Sequence, residues 1–312
     1  MDRSKKPSAI GVGGSLPQPT VSIKDSTIEA SLPSGESVTV HLYGATVTSW
    51  KANGQEQLFV SEKTHLDGSK PIRGGIPLVF PVFGPPPQNH VTSSLPQHGF
   101  ARNSNWEFLG KSSSESAETA GQAKADLAVK LDFGLSHTML TEEFRKAWPY
   151  EFGLVYSVTL TKDTLETSLQ VRNEGTQNFD FQVLMHTYFD IGNLESKTYV
   201  DKTRNAISQS ETSAALAITE ETDRVYQDLD PAKPIIVSSA EDDKTIFSIT
   251  REGLTDMVVW NPWIEKAKGM ADFGPDEAYK KMLCVEAGSV SAWQTLEAGD
   301  AWEGGQSIKA RL

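Results

Sequence analysis

The stretch FQVLMHTYFD, residues 181–190, decides the fold prediction and poses the first question about function. From residue 179 to residue 189, every odd position except Thr187 is apolar, and this alternation is the period of a β-strand. Successive side chains of a strand point to opposite faces, so His186 shares its face with Gln182 and Tyr188. His186 is therefore either a half-exposed strand histidine or part of the floor of a sugar-binding cleft.

The rest of the chain repeats this strand signal. From residue 20 onward, short β-type segments alternate with Gly- and Asn-rich turns, and long helical periodicity is scarce. One short helix is predicted at 274–282. The pattern favours an all-β sandwich or barrel. We expect a disordered tail at 1–18, a single β-sandwich domain at 19–312 and a solvated loop at 112–126.

Composition narrows the class of protein. The chain has 312 residues, 38% of them hydrophobic, and a net charge of −12, which argues against non-specific nucleic-acid or anionic-membrane binding. An anionic substrate would need a local cluster of Arg or Lys. A single cysteine excludes an intramolecular disulfide, and the basic N-terminus lacks the apolar segment of a secretory signal. We therefore expect a cytoplasmic protein.

The sequence lacks the usual motifs for cofactor binding, zinc binding and nucleophilic catalysis. GVGGSL, residues 11–16, neither follows a strand nor opens a helix, so it does not complete a dinucleotide fingerprint. The six histidines form no HxxxH pair and have no cysteine at ligand spacing, which makes a zinc site improbable. No Walker loop or G-x-S-x-G elbow is present. We expect a mechanism that uses ordinary acid–base side chains, with no cofactor or metal.

A second candidate residue lies in KKMLCVEAGSV. Alternation places Glu286 on the same face as Met282 and Cys284. Such a carboxylate is either partly desolvated or at the exposed end of its strand. Desolvation would raise its pKa toward the range useful for a general base.

Two loops carry arginines next to glycines. In IRGG, Arg73 precedes two glycines that allow close backbone approach to a ligand; in LPQHGFAR, Gln97, His98 and Arg102 surround a third glycine. Guanidinium groups bind phosphate and carboxylate bidentately, so the loops suit an anionic ligand. Taken singly, each arginine also fits a surface ion pair.

Together these stretches resemble the aldose 1-epimerase (mutarotase) superfamily, and most closely its glucose-6-phosphate 1-epimerase branch. The likeness runs from about residue 20 to 312. It implies a galactose-mutarotase-like β-supersandwich of antiparallel sheets with few short helices. The stretches that carry it are KPIRGGIPLVFPVFG (70–84), LPQHGFAR (95–102), VLMHTYFDIG (183–192), ETDRVY (221–226), VVWNPW (258–263) and MADFGPDEAYKKMLCVEAG (270–288).

The resemblance also implies roles for four residues. His186 of LMHTYF corresponds to the general acid and Glu286 of CVEAG to the general base. Arg73 and Arg102 correspond to the phosphate contacts of the hexose-phosphate branch. Glu286 would take the proton of the C1 hydroxyl, and His186, as imidazolium, would deliver one to the ring oxygen.

Further residues correspond to sugar contacts. These are Gln97 or His98, together with Asp223 of TDRVY, which is the weakest match because the preceding segment is poorly anchored. Other aspartates of this region that compete for the role are Asp201, Asp228 and Asp230.

The implied activity is cofactor-independent interconversion of the α and β anomers of D-glucose 6-phosphate, and of other hexose 6-phosphates. We expect a small-molecule substrate, no nucleic acid, no membrane, and a monomer. Two alternatives stay open. One is a mutarotase for neutral aldoses such as galactose, and the other is a non-catalytic sugar-phosphate-binding protein on the same fold.

Overall fold

The computed structural model describes most of the chain from residue 17 to residue 310. The predicted tail at 1–18, with its glycine-rich stretch, and the predicted loop at 112–126 lie almost entirely outside the described residues. The described ranges are 17–114, 127–192, 194, 198–201, 215–239 and 244–310.

The described residues form twenty β-strands and two short α-helices. The all-β prediction with few short helices is confirmed. In chain order the strands are β1 (Thr20–Lys24), β2 (Thr27–Ser31), β3 (Ser37–His41), β4 (Thr46–Ala52), β5 (Gln55–Glu56), β6 (Leu78–Val79), β7 (Glu107–Ser114), β8 (Ala128–Ser136), β9 (Phe152–Leu160), β10 (Thr164–Asn173), β11 (Phe179–Met185), β12 (Tyr188–Asp190), β13 (Thr198–Asp201), β14 (Ala215–Ala217), β15 (Thr222–Tyr226), β16 (Ile235–Ser239), β17 (Thr245–Glu252), β18 (Asp256–Asn261), β19 (Met282–Leu296) and β20 (Ala301–Ala310). The helices are α1 (Glu142–Ala147) and α2 (Trp263–Gly269).

These strands form three antiparallel sheets. The first follows the chain from β1 to β5. The second has nine strands in the order β14-β13-β16-β17-β20-β10-β9-β8-β7. The third has six strands, ordered β15-β18-β19-β11-β6 with β12 also pairing with β19, and it carries the residues of the candidate site. In the third sheet, β19 pairs with β11, and β11 pairs with β6, so this sheet assembles residues that are far apart in sequence.

Residues 181–190 belong to two strands, β11 and β12, with a break between them. The ladder with β19 pairs Met185 with Ala287 before the break and Tyr188 with Cys284 after it, so the register is unchanged. At the break, the His186 N–H donates to the carbonyl of Pro77 at 3.0 Å instead of to the ladder. The unchanged register puts His186 directly opposite position 286 of β19.

The predicted core face of this segment is confirmed. Its odd-numbered apolar residues are all 2% exposed or less and belong to the largest apolar cluster, which draws on all three sheets. The residues are Phe179, Phe181, Val183, Met185 and Phe189. The other face is also covered where it reaches the site, because Tyr188 packs in a smaller cluster with Trp260 and Phe273.

The helix prediction was partly wrong. Residues Asp276–Lys280 form a 3-10 helix instead of an α-helix, and the sequence did not predict α1 or α2. Helix α2 begins directly after β18, where the side chain of Asn261 accepts from the backbone N–H of Trp263 at 2.8 Å. This local bond turns the chain back over the site. No helix in the described part of the chain is long and apolar enough to cross a membrane.

The two glycines of the IRGG loop pack against protein backbone, not against an open ligand space. A Cβ on Gly75 would lie 2.0 Å from the carbonyl oxygen of Val47. One on Gly74 would lie 2.5 Å from the carbonyl oxygen of Phe59. The expectation that they allow approach to a ligand was therefore wrong. They let the loop that carries Arg73 lie directly on neighbouring strands.

This close packing makes Gly75→Ala strongly destabilising. Gly75 has φ +68° and no room for a Cβ, whereas Gly54 has φ +73° and open space around it. Gly54→Ala should cost about 1–2 kcal/mol from the left-handed backbone alone. Gly75→Ala should cost at least about 3 kcal/mol because the backbone must also move. Urea unfolding of both variants measures the difference, and equal losses would contradict this packing.

Candidate active site

A cavity of about 320 Å³ opens over the six-stranded sheet and gathers most of the residues singled out in the sequence. This volume is at the small end of the range for small-molecule sites. Six of the seven predicted site residues line it; Arg102 is the seventh. The six are Arg73, Gln97, His98, His186, Asp223 and Glu286.

His186 and Glu286 meet at the floor of this cavity. His186 Nδ1 lies 3.3 Å from Glu286 Oε1, a distance that follows from their opposite positions across the sheet. The contact lacks hydrogen-bond geometry, and both His186 Nδ1 and Glu286 Oε2 are buried without a hydrogen-bond partner. The side chains are 9% and 1% exposed, so Glu286 is not a solvated strand-end residue. Buried polar atoms without partners are rare in proteins, so they mark this pair as a candidate functional site.

Burial drives both groups of this pair toward their neutral forms. It lowers the pKa of His186 well below its usual value, and the neighbouring side chains of His98, Arg102 and Arg73 lower it further. Burial raises the pKa of Glu286 well above its usual value, with a further contribution from Asp223. Both shifts favour the neutral imidazole beside a protonated carboxyl group. The sequence alone does not indicate which of the two residues carries the proton at rest.

Arg73 is held in a fixed position at the cavity wall. Its Nη2 lies 3.1 Å from Asp272 Oδ2, its Nε donates to the same oxygen at 3.2 Å, and its Nη1 donates to Tyr188 Oη at 3.2 Å. Burial opposes the charge of Arg73, but Tyr188 and Asp272 outweigh it and raise its pKa above the usual value. The guanidinium is therefore charged, and it retains N–H groups for an anion.

Arg102 and His98 lie beside it on the loop that follows β6. Arg102 donates from Nη2 to the carbonyl of Gln97 at 2.9 Å, and its Nε is buried without a partner. Burial lowers the pKa of Arg102 to about 10, which leaves it charged at neutral pH. Burial, with the charges of Arg102 and Arg73, lowers the pKa of His98 to about 3. His98 is therefore neutral, and the two arginines supply the positive charge of this wall.

Asp223 lies on the opposite rim, on the edge strand β15. Its side chain is 57% exposed, and its Oδ2 lies 3.8 Å from Lys266 Nζ of helix α2. Lys266 also pairs with Glu221 at 3.0 Å. Of the competing aspartates, neither Asp228 nor Asp230 lines the cavity.

The fourth aspartate of that region, Asp201, is on β13 of the nine-stranded sheet. That strand is not part of the six-stranded sheet that carries the site. Position in the fold therefore favours Asp223 for the predicted sugar contact.

Three residues of the site had no role assigned from the sequence: Asp272, Trp260 and Lys266. Trp260 packs edge-on against the rings of both His186 and Tyr188, with centroids 6.1 and 5.9 Å apart. Asp272 and Trp260 lie inside stretches that carried the resemblance, and that was the only signal for them. Lys266 lies in α2, which the sequence did not predict.

Among the described residues, one cluster has the composition of a metal site. Donor atoms of His186, Cys284 and Glu286 lie within 4.8 Å of one another. Arg73 acts electrostatically on both His186 and Cys284, and Arg102 acts on Glu286. Because these guanidinium charges would repel a cation, the cluster fits a metal poorly. The absence of a metal requirement stays a prediction.

Comparison with known proteins identifies the family to which the chain belongs. A family model described as Aldose 1-epimerase matches residues 26–309, and the chain belongs to this family. A protein of Cenchrus ciliaris named "Putative glucose-6-phosphate 1-epimerase" is 36% identical over 283 residues, covering 87% of this chain and 80% of that protein. A protein of the same name from Escherichia coli is 32% identical over 276 residues, covering 86% and 85%.

A solved structure described as a "putative mutarotase" from Salmonella typhimurium has a TM-score of 0.75 and 26% identity to this chain, with 95% of each chain covered. The predicted resemblance and the galactose-mutarotase-like fold are confirmed. The chain is an isomerase-type enzyme of the aldose 1-epimerase class, and its substrate is a small sugar.

Burial of the Glu286 carboxyl group predicts that the free energy of unfolding depends on pH. The unfolded chain ionises Glu286 near pH 4.3, but the fold raises its pKa, so its contribution to stability is lost as pH rises above that value. Glu286→Gln has no such loss. Its free energy of unfolding relative to wild type should rise with pH, by up to about 1.4 kcal/mol per unit.

Urea unfolding between about pH 5 and pH 8 measures this difference. Glu252→Gln, at an exposed glutamate of β17, is the matched control. A pH-independent difference for Glu286→Gln would show that the fold does not raise the pKa of this group.

Proposed function

We propose that this enzyme interconverts the α and β anomers of D-glucose 6-phosphate and related hexose 6-phosphates. The observation that supports this most directly is a cavity with a buried His–Glu pair at its floor and the charged Arg73 in its wall. Arg102, on the adjacent loop, is close enough to act electrostatically on the pair. The pair suits acid–base chemistry at C1, and the arginines suit a phosphate. The names of the two curated relatives agree with this substrate.

The reaction needs one proton removed and one delivered. On ring opening, the proton of the C1 hydroxyl passes to Glu286, the bond between C1 and the ring oxygen breaks, and His186 protonates that oxygen. The open aldehyde rotates about the C1–C2 bond, and the same transfers run backwards on closure. One proton on the pair is sufficient. Ring opening leaves it on Glu286 instead of His186, and ring closure restores it to His186. Such groups typically contribute about 10²–10⁴-fold each.

The substrate itself prepares the pair for this reaction. In the empty cavity the positive charges of Arg73 and Arg102 help to hold His186 neutral. A phosphate bound to these arginines offsets their charge and so favours moving the proton from Glu286 to His186. His186 Nδ1 and Glu286 Oε1 are 3.3 Å apart, near enough for that transfer once the two side chains align. A substrate without phosphate leaves the arginine charges uncompensated.

The arginines also account for substrate choice. Arg73 has fixed bonds to Asp272 and Tyr188 and still has N–H groups free of these bonds. A bond from such a charged donor to phosphate contributes about 1.5–3 kcal/mol. Binding of the 6-phosphate would hold the sugar in place while the open aldehyde rotates about the C1–C2 bond. A mutarotase for neutral aldoses, or a protein that only binds sugar phosphates, would need just one of these two parts of the site.

The catalytic role of Glu286 is tested by Glu286→Gln. We expect anomer exchange of glucose 6-phosphate, followed by NMR, to slow by about 10²–10⁴-fold, because the amide cannot take the C1 proton. Binding of the phosphosugar should change little, since the arginines are intact.

Glu252→Gln serves again as the control and should exchange at the wild-type rate. Wild-type exchange in Glu286→Gln would refute the assignment of the base. Binding of the phosphosugar by the wild-type protein without any enzyme-dependent exchange would favour the non-catalytic alternative.

A further inference from the structure

Tyr188 connects the two halves of the site described above. Its hydroxyl accepts from Arg73 Nη1 at 3.2 Å. Its ring is stacked on the imidazole of His186, with centroids 4.7 Å apart and planes 10° from parallel. His98 also packs edge-on against His186, with ring centroids 5.9 Å apart. Tyr188 itself is 1% exposed, so it cannot move without repacking its surroundings.

Neighbouring side chains hold both Arg73 and Tyr188 in place. Asp272 holds Arg73 from the other side, with its carboxylate oxygen 3.1 Å from Nη2. Trp260 packs edge-on against Tyr188, with ring centroids 5.9 Å apart. The Tyr188 ring therefore has a set plane and its hydroxyl a set position. A side chain held in this way transmits a displacement at one end to the other.

We propose that Tyr188 is a positioning residue that couples the phosphate anchor to the catalytic imidazole. Its hydroxyl holds Arg73 where the 6-phosphate binds, and its ring holds the plane of His186. The inference rests on the proposed function, since it gives Arg73 the role of phosphate anchor. Two separable consequences follow, one for each end of the side chain.

Tyr188→Phe removes the hydroxyl and keeps the ring. The KM for glucose 6-phosphate should rise about 10-fold while kcat stays within about 3-fold of wild type, because Arg73 loses one fixed bond. Affinity for inorganic phosphate should fall by a similar factor. An unchanged KM together with an unchanged phosphate affinity would overturn the role of the hydroxyl.

Tyr188→Leu removes the ring. In addition to the rise in KM, kcat should fall about 10²-fold, because the imidazole loses the surface that orients it. Tyr188→Met, with a flexible side chain that fills irregular space, repeats the test if the leucine variant does not fold. A kcat equal to that of Tyr188→Phe in the folded variant would overturn the role of the ring.

Tyr156→Phe is the matched control. Tyr156 is also fully buried, but it lies on β9 of the nine-stranded sheet and not on the six-stranded sheet that carries the site. Its kinetic constants should equal those of wild type, whereas a purely structural role for Tyr188 would change stability without separating KM from kcat. If the wild-type enzyme does not exchange glucose 6-phosphate, the proposed function fails. The phosphate affinities of the two phenylalanine variants still test the bond between Tyr188 and Arg73.

Discussion

The contact between His186 and Glu286 is the interaction on which the rest of the site depends. Two titratable groups 3.3 Å apart with almost no exposure to water can share a single proton, and neither is easily charged alone. The sheet imposes this arrangement, because the register of β19 against β11 and β12 leaves the two residues opposite each other. The break in the ladder at His186 frees its side of the sheet for a ligand.

The positive charge of Arg73 and Arg102 matters because the chain as a whole is acidic. A chain of net charge −12 repels anions at long range, and only a local concentration of positive charge reverses this. Arg73 and Arg102 are only partly exposed to water, so their charges are screened less than those of fully exposed side chains. Asp272 and Tyr188 hold Arg73 in position. The same charges lower the pKa of His186, which links binding of an anion to the state of the acid–base pair.

The sequence predicted what depends on local pattern. Alternation in 179–189 identified the core face and placed His186 away from it, and the ordered motifs identified the family. What it did not predict depends on contacts between distant residues. The partner of Arg73, Asp272, is 199 residues away in the chain, and the backbone beneath the IRGG glycines comes from other strands. Whether Glu286 is desolvated or at an exposed strand end could not be decided before its burial was known.

The most direct measurement compares substrates. Anomer exchange of glucose 6-phosphate, glucose and galactose is followed by NMR with the wild-type enzyme under one set of conditions. If the arginine wall selects a phosphosugar and prepares the His–Glu pair, kcat/KM for glucose 6-phosphate should exceed that of either neutral sugar by at least about 10²-fold. Equal or faster exchange of galactose would contradict the account and identify the enzyme as a mutarotase for neutral aldoses.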